Sequence, residues 1–187
     1  MKKRVLVPLA PGFEEVEALT VVDYLRRADC HVVTASVGAP NPIAGRSKIR
    51  VMSDIDIDEA VEEWGDAWDA IVVPGGEPGV TNLMASATVV GLVQRRLAAG
   101  GLTAAICAGP KLLVKAGLAA GVALTSYPGV RAELEAAGHP YKDDTVVVDG
   151  AVITSRGPGT AVAFALALVE ALFGAAKAAE IRQSTVS

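Results

Sequence analysis

Short β-branched apolar runs alternate with amphipathic stretches along all 187 residues of this chain, and that alternation admits few folds. Arg4–Ala10, His31–Val37, Ala70–Pro74 and Leu102–Cys107 read as strands, with Ile49–Met52 and Val122–Ser126 as shorter ones. Helical patterns cover Glu14–Ala28, Asp58–Trp64, Ser86–Ala99, Pro110–Ala116 and Thr160–Phe173. Val146–Val148 and Ala151–Ser155, joined by Asp149-Gly150, read as a β-hairpin. Gly38–Gly45 reads as a surface loop. Strands apolar on both faces with helices between them specify an α/β chain with a mainly parallel sheet covered on two sides. Neither a repeat nor a linker interrupts residues 1–187, which are read as one domain.

Composition narrows the function classes. Seventeen Lys and Arg against 21 Asp and Glu give a net charge of −4, which does not suit a nucleic-acid partner. An aromatic content of 4% supplies no base-stacking surface. Two cysteines cannot make a disulfide framework and point to a reducing, cytoplasmic compartment. Pro8 and Glu14-Glu15 break the leader-like start Met1–Ala10. The apolar stretch Ala161–Ala176 contains Glu170 and falls short of the ~20 residues of a membrane span.

In a parallel α/β sheet, function sits in the crevice at the C-terminal ends of the strands. Cys107 ends one strand within Ala105-Ile106-Cys107-Ala108-Gly109, where small flanking residues suit a tight strand-to-helix elbow. The helix that follows is expected to favour the thiolate and hold the thiol below its usual ~8.5. Glu14, Glu15 and Glu17 open the first helix. On a helical wheel Glu14 falls inside the apolar stripe of Ala18, Val21, Val22, Leu25 and Ala28, and Glu17 falls on its edge. A carboxyl turned toward protein is expected to have a raised pKa.

Gly75-Gly76 after a buried strand can turn sharply and leave amides free for an oxyanion. Thr154–Thr160, with Ser155 and Arg156, gathers amides, a hydroxyl and a guanidinium at a helix start, as an anion site would. His31 and His139 have no metal-ligand spacing with Cys30 or Cys107, so no metal is expected. No Walker lysine and no dinucleotide fingerprint is present, so no cofactor is expected.

Four segments in order, Leu9–Glu17, Val73–Gly76, Ala104–Pro110 and Thr154–Thr160, resemble the ThiJ/PfpI superfamily. The likeness is to its subgroup of the Parkinson's-disease-associated protein deglycase and bacterial YajL. The resemblance implies a flavodoxin-like three-layer α/β/α sandwich and a homodimer. It implies that Cys107 is the reactive, oxidation-sensitive cysteine and that Glu17 is the carboxylic acid bonded to it. The amides of Gly76 and Ala108 would form the oxyanion site, and Arg27 would reach the partner's site. Ala108 stands where family peptidases carry a histidine, which argues against peptidase chemistry. Tyr127 occupies the position of a histidine found in some relatives, and a phenol is a poor base near neutrality.

The implied activity is that of a glutathione-independent glyoxalase or deglycase, acting on methylglyoxal-type α-oxoaldehydes or their early adducts. The alternative is an oxidative-stress sensor or chaperone-like dimer built on the same cysteine. An older family label, thiazole or thiamin biosynthesis, has no mechanistic support in these residues.

Overall fold

A computed structural model describes residues 2–187. The chain runs through β1 (Arg4–Leu9), α1 (Glu15–Arg27), β2 (His31–Ser36), β3 (Ile43–Ala44), β4 (Arg50–Val51), β5 (Ile55–Asp56) and α2 (Ile57–Trp64). It continues through β6 (Ala70–Val73), α3 (Gly79–Ala85), α4 (Ala87–Ala98), β7 (Leu102–Ile106), α5 (Pro110–Lys115) and α6 (Arg131–Ala136). It closes with β8 (Val146–Asp149), β9 (Val152–Ser155), α7 (Ala161–Phe173) and α8 (Ala175–Thr185).

Seven strands form one sheet in the order β5-β2-β1-β6-β7-β9-β8. Every pairing in it is parallel except β8 with β9, the expected hairpin. The central order β2-β1-β6-β7-β9 is the doubly wound arrangement of flavodoxin-like proteins. Successive side chains of a strand point to opposite faces, so β1 feeds two cores. Val5, Val7 and Leu9 pack with Val21 and Leu25 of α1 and with Phe164 and Leu168 of α7. Leu6 turns to the other face, with Ile71 and Val73 of β6 and with Leu92, Val93, Leu112 and Leu113 of α4 and α5. The strands therefore lie between two helical layers, as the sequence pattern and the resemblance led us to expect. No helix among the described residues is long and apolar enough to cross a membrane.

Two local expectations are corrected, and three helices are added. Gly38–Gly45 is not all loop, because Ile43 and Ala44 pair antiparallel with Val51 and Arg50, and Ile43 is buried. Two-residue strands carry no readable period. Val122–Ser126 is not a strand of the sheet and makes only a single bridge, between Leu124 and Tyr141. The β8–β9 hairpin already occupies that sheet edge. The segment's amides bond instead to Asp149 Oδ2 (from Ala123, 2.7 Å), Thr154 Oγ1 (from Thr125, 2.9 Å) and the Pro140 carbonyl (from Leu124, 2.9 Å). The helices α3, α6 and α8 were not anticipated; α3 and α6 span only 7 and 6 residues, fewer than two turns of helix each.

Phe164 is fully buried where α7 meets the sheet and α1. Phe164→Ala is expected to lower unfolding free energy by about 3–5 kcal/mol in urea titrations. A loss below about 1 kcal/mol would mean that this layer does not pack as described.

Candidate active site

Three connections meet at the C-terminal edge of the sheet, following β1, β6 and β7. The first carries Glu14 and leads into α1. Glu14 caps that helix, its Oε2 accepting from the Glu17 amide at 2.8 Å. The cap fixes the first turn and sends the Glu17 side chain inward, where it is fully buried. Glu17 Oε2 accepts from the Gly75 amide at 2.8 Å, and Oε1 is buried with no hydrogen bond of good geometry. The Glu14 amide in turn donates to the Gly75 carbonyl at 2.9 Å, which ties the first connection to the second.

Glycine is required in the second connection because a side chain would collide with the site. A Cβ on Gly75 would stand 2.5 Å from Glu17 Oε2 and 2.6 Å from Cys107 Cβ. Gly76 adopts φ +91°, and a Cβ there would meet the Glu14 amide at 2.5 Å. The missing side chain at 75 is what lets the carboxyl and the cysteine approach one another.

Cys107 sits in the third connection at φ 61°, the strained geometry expected of the elbow. Its backbone is held on both sides: its amide donates to the Ser155 carbonyl and its carbonyl accepts from the Tyr127 amide, each at 3.0 Å. The half-buried thiol lies beside the Glu17 carboxyl, and the amides of Gly76 and Ala108 point at the sulfur.

Burial, reinforced by the Glu14 charge, lifts the Glu17 carboxyl to about 7. The expectation of a thiolate secured by the helix start alone is corrected. Burial, then the charge of Glu17 and its hydrogen bond, push the Cys107 thiol up to about 12, and the Gly76 and Ala108 amides offset this only in part. Two of those causes vanish once Glu17 carries the proton. The two groups therefore titrate as a coupled pair, in which the protonation of one sets the ionisation of the other.

The remaining expected residues divide sharply. Gly75, Gly76, Ala108 and Glu14 converge on Cys107 and Glu17. Tyr127 joins them through its backbone, with a side chain exposed to solvent. The Ser155 hydroxyl does not face the cleft, because it donates to the Thr145 carbonyl at 2.7 Å and contacts Thr160 Oγ1 at 2.7 Å. Arg156 is drawn away as well, donating to the Asp143 carbonyl at 2.7 Å. The amides of Arg156 and Gly157 both donate to Thr160 Oγ1, so two of the donors expected to hold an anion there are already engaged. Arg27 is exposed and paired with Asp23 at 2.7 Å, ten residues along α1 from Glu17 and thus about 15 Å away. It does not line this chain's own cleft.

Two contributions went unread in the sequence. Glu15 is buried, accepting from the amides of Ser47 (2.8 Å) and Ile49 (3.3 Å), and so pins the β3–β4 hairpin against α1. Arg46 of that hairpin, its amide on the Phe13 carbonyl at 2.7 Å, places positive charge near Glu17. Both depend on the short hairpin, which left no periodic signal. Among the described residues, no group of three or more His, Cys, Asp or Glu side chains is placed to hold a metal ion.

Comparison with known proteins places this geometry among relatives. The sequence profile of the DJ-1/PfpI family matches residues 3–171. Protein dj-1beta of Drosophila melanogaster is 42% identical over 183 residues, covering 97% of this chain and 95% of that protein. A Caenorhabditis elegans protein named glutathione-independent glyoxalase DJR-1.2 is 34% identical over 177 residues, covering 94% and 92% respectively. The crystal structure of Drosophila melanogaster DJ-1beta superposes with a TM-score of 0.93 at 40% identity, covering 100% of this chain and 98% of that one.

The raised Glu17 carboxyl has a consequence for folding. Its neutral form is favoured in the native state, so that contribution is full below its ordinary value of 4.5 and is lost as pH climbs through about 7. Glutamine keeps the neutral form at every pH. Glu17→Gln is expected to match the parent in stability at pH 4 and exceed it by about 3 kcal/mol at pH 8, measured by urea unfolding. Equal stability at pH 8 would show that the carboxyl is not held neutral.

Proposed function

The chain belongs to the DJ-1/PfpI family, and on that premise we propose that it is a glutathione-independent glyoxalase that also acts on early aldehyde adducts of amines and thiols. The observation that carries this reading is the fully buried Glu17, its carboxyl lifted to about 7, beside a cysteine whose sulfur faces two amides. Such a pair supplies a nucleophile and a proton carrier for a substrate with adjacent carbonyl groups.

With the proton on Glu17, the Cys107 sulfur attacks the aldehyde carbon of methylglyoxal. A C–S bond forms, and the carbonyl π pair moves to oxygen. The Gly76 and Ala108 amides, freed from the sulfur's charge, turn to that oxygen, and the Glu17 proton neutralises it. The resulting Glu17 carboxylate then removes the proton from the same carbon. The electron pair becomes the double bond of an enediolate, and the hydroxyl proton of the first carbon passes to the neighbouring oxygen. Glu17 returns its proton to the second carbon as the oxyanion on the first re-forms a carbonyl, leaving a 2-hydroxy thioester on Cys107. Water cleaves the C–S bond, releasing lactate and the thiol. Oxidation of the aldehyde carbon is matched by reduction of the ketone carbon, so no external redox partner is needed.

Further features support this assignment over its rivals. Ala108 leaves no histidine directly after the nucleophile, which disfavours peptidase chemistry. The exposed Tyr127 is not placed as a base, so proton transfer falls to Glu17. The expected homodimer and the reach of Arg27 into a partner's site belong to the same proposal. The exposed Val16, Leu19, Ile49 and Met52 on α1 and the β4 region are consistent with a covered face. Two free cysteines accord with a cytoplasmic, reducing location.

The expected result is lactate formation from methylglyoxal without glutathione, with kcat/KM rising as pH passes through about 7, where the pair gives up its first proton. Glu17→Gln is expected to cost about 100-fold or more in kcat and to lack that limb. Undiminished turnover by Cys107→Ala would remove the nucleophile and with it the proposal.

A further inference from the structure

The Thr160 hydroxyl collects more hydrogen bonds than a helix start needs. Its oxygen accepts from the Arg156 amide (3.2 Å) and the Gly157 amide (3.1 Å). It also lies 2.7 Å from Ser155 Oγ and 2.9 Å from the Gly157 carbonyl. Ser155 gives its own proton to the Thr145 carbonyl, so the single Thr160 hydroxyl proton is shared between Ser155 Oγ and the Gly157 carbonyl. The Gly157 carbonyl still receives the Thr160 amide at 2.9 Å. One side chain thus locks residues 155–157 into a single arrangement.

Both ends of that arrangement touch the proposed working pair. The Ser155 carbonyl accepts the Cys107 amide and so supports the strained elbow. Gly157 is buried and lies over Glu17, such that a Cβ there would come 4.0 Å from Oε1, the carboxylate oxygen without a good partner. We propose that Thr160 is a positioning residue for the Cys107–Glu17 pair, holding Gly157 as the cover that keeps water off Glu17 Oε1 and holding Ser155 beneath the Cys107 elbow. This rests on Cys107 and Glu17 working as a pair, the same reading as the proposed glyoxalase.

The charged groups facing Glu17 are Glu14 on its own helix cap, Cys107 from the β7–α5 elbow and Arg46 from the β3–β4 hairpin. Thr160 carries no charge itself and changes the hydration of Oε1. Water reaching that oxygen stabilises the carboxylate, so the pair would lose its first proton at lower pH. A carboxylate held by water is a poorer acceptor of the sulfur's proton, so the thiolate fraction would fall.

The test is the rate of Cys107 alkylation by iodoacetamide as a function of pH, which needs no turnover. It therefore stands or falls separately from the glyoxalase assignment. Thr160→Val is expected to lower the midpoint by about one pH unit and the plateau rate about tenfold. Thr160→Ser, which keeps the hydroxyl, is expected to follow the parent. Gly157→Ala adds a methyl against Oε1 on extended backbone that alanine adopts without strain, and is expected to raise the midpoint. It also keeps the proposal testable should Thr160→Val fail to fold. A folded Thr160→Val with the parent's profile, or a Gly157→Ala midpoint that does not move upward, would overturn the proposal.

Discussion

A buried carboxyl and a half-buried thiol, pressed together through the gap left by the missing side chain of Gly75, govern the rest of the site. The proximity is costly for both groups. Burial holds each toward its neutral form, and the charge of either resists ionisation of the other. The surrounding backbone makes the arrangement tolerable by directing amides at whichever partner is charged. Gly75 donates to the carboxylate, and Gly76 and Ala108 face the sulfur. Each charged form is thereby met by backbone donors, which is what a group that must give and retake a proton requires.

The fold provides this by bringing three loops to one edge. The order β2-β1-β6-β7-β9 sets β6 between β1 and β7, so the connections after these three strands are neighbours in space. Each brings one element of the site: a capped helix start with an inward carboxyl, a double glycine and a strained elbow. The connection after β9 closes the group, supporting the elbow from the Ser155 carbonyl and covering Glu17 with Gly157. Strain at Cys107 persists because hydrogen bonds on both sides of its peptide overdetermine it.

Much of this was legible in the sequence because it rests on strong local signals. Buried parallel strands appear as continuous apolar runs, and small residues around Cys107 announce an elbow before any contact is known. The helical wheel turned Glu14 and Glu17 toward protein, and both are buried. What stayed hidden depends on partners distant in sequence. Val122–Ser126 has the composition of a strand, yet the neighbouring hairpin had taken the sheet edge. Ser155 and Arg156 have the chemistry of an anion site, yet Thr160, Thr145 and Asp143 draw their donors elsewhere. The direction of the Cys107 shift followed the same pattern, since the helix start was visible and the opposing carboxylate was only inferred.

The coupling of carboxyl and thiol is best tested on the carboxyl itself, by following the Glu17 side-chain carbon resonance through a pH titration of selectively 13C-labelled protein. The account predicts a midpoint near 7 that shifts when Cys107 is replaced by serine. A midpoint at the ordinary 4.5, indifferent to that replacement, would contradict it.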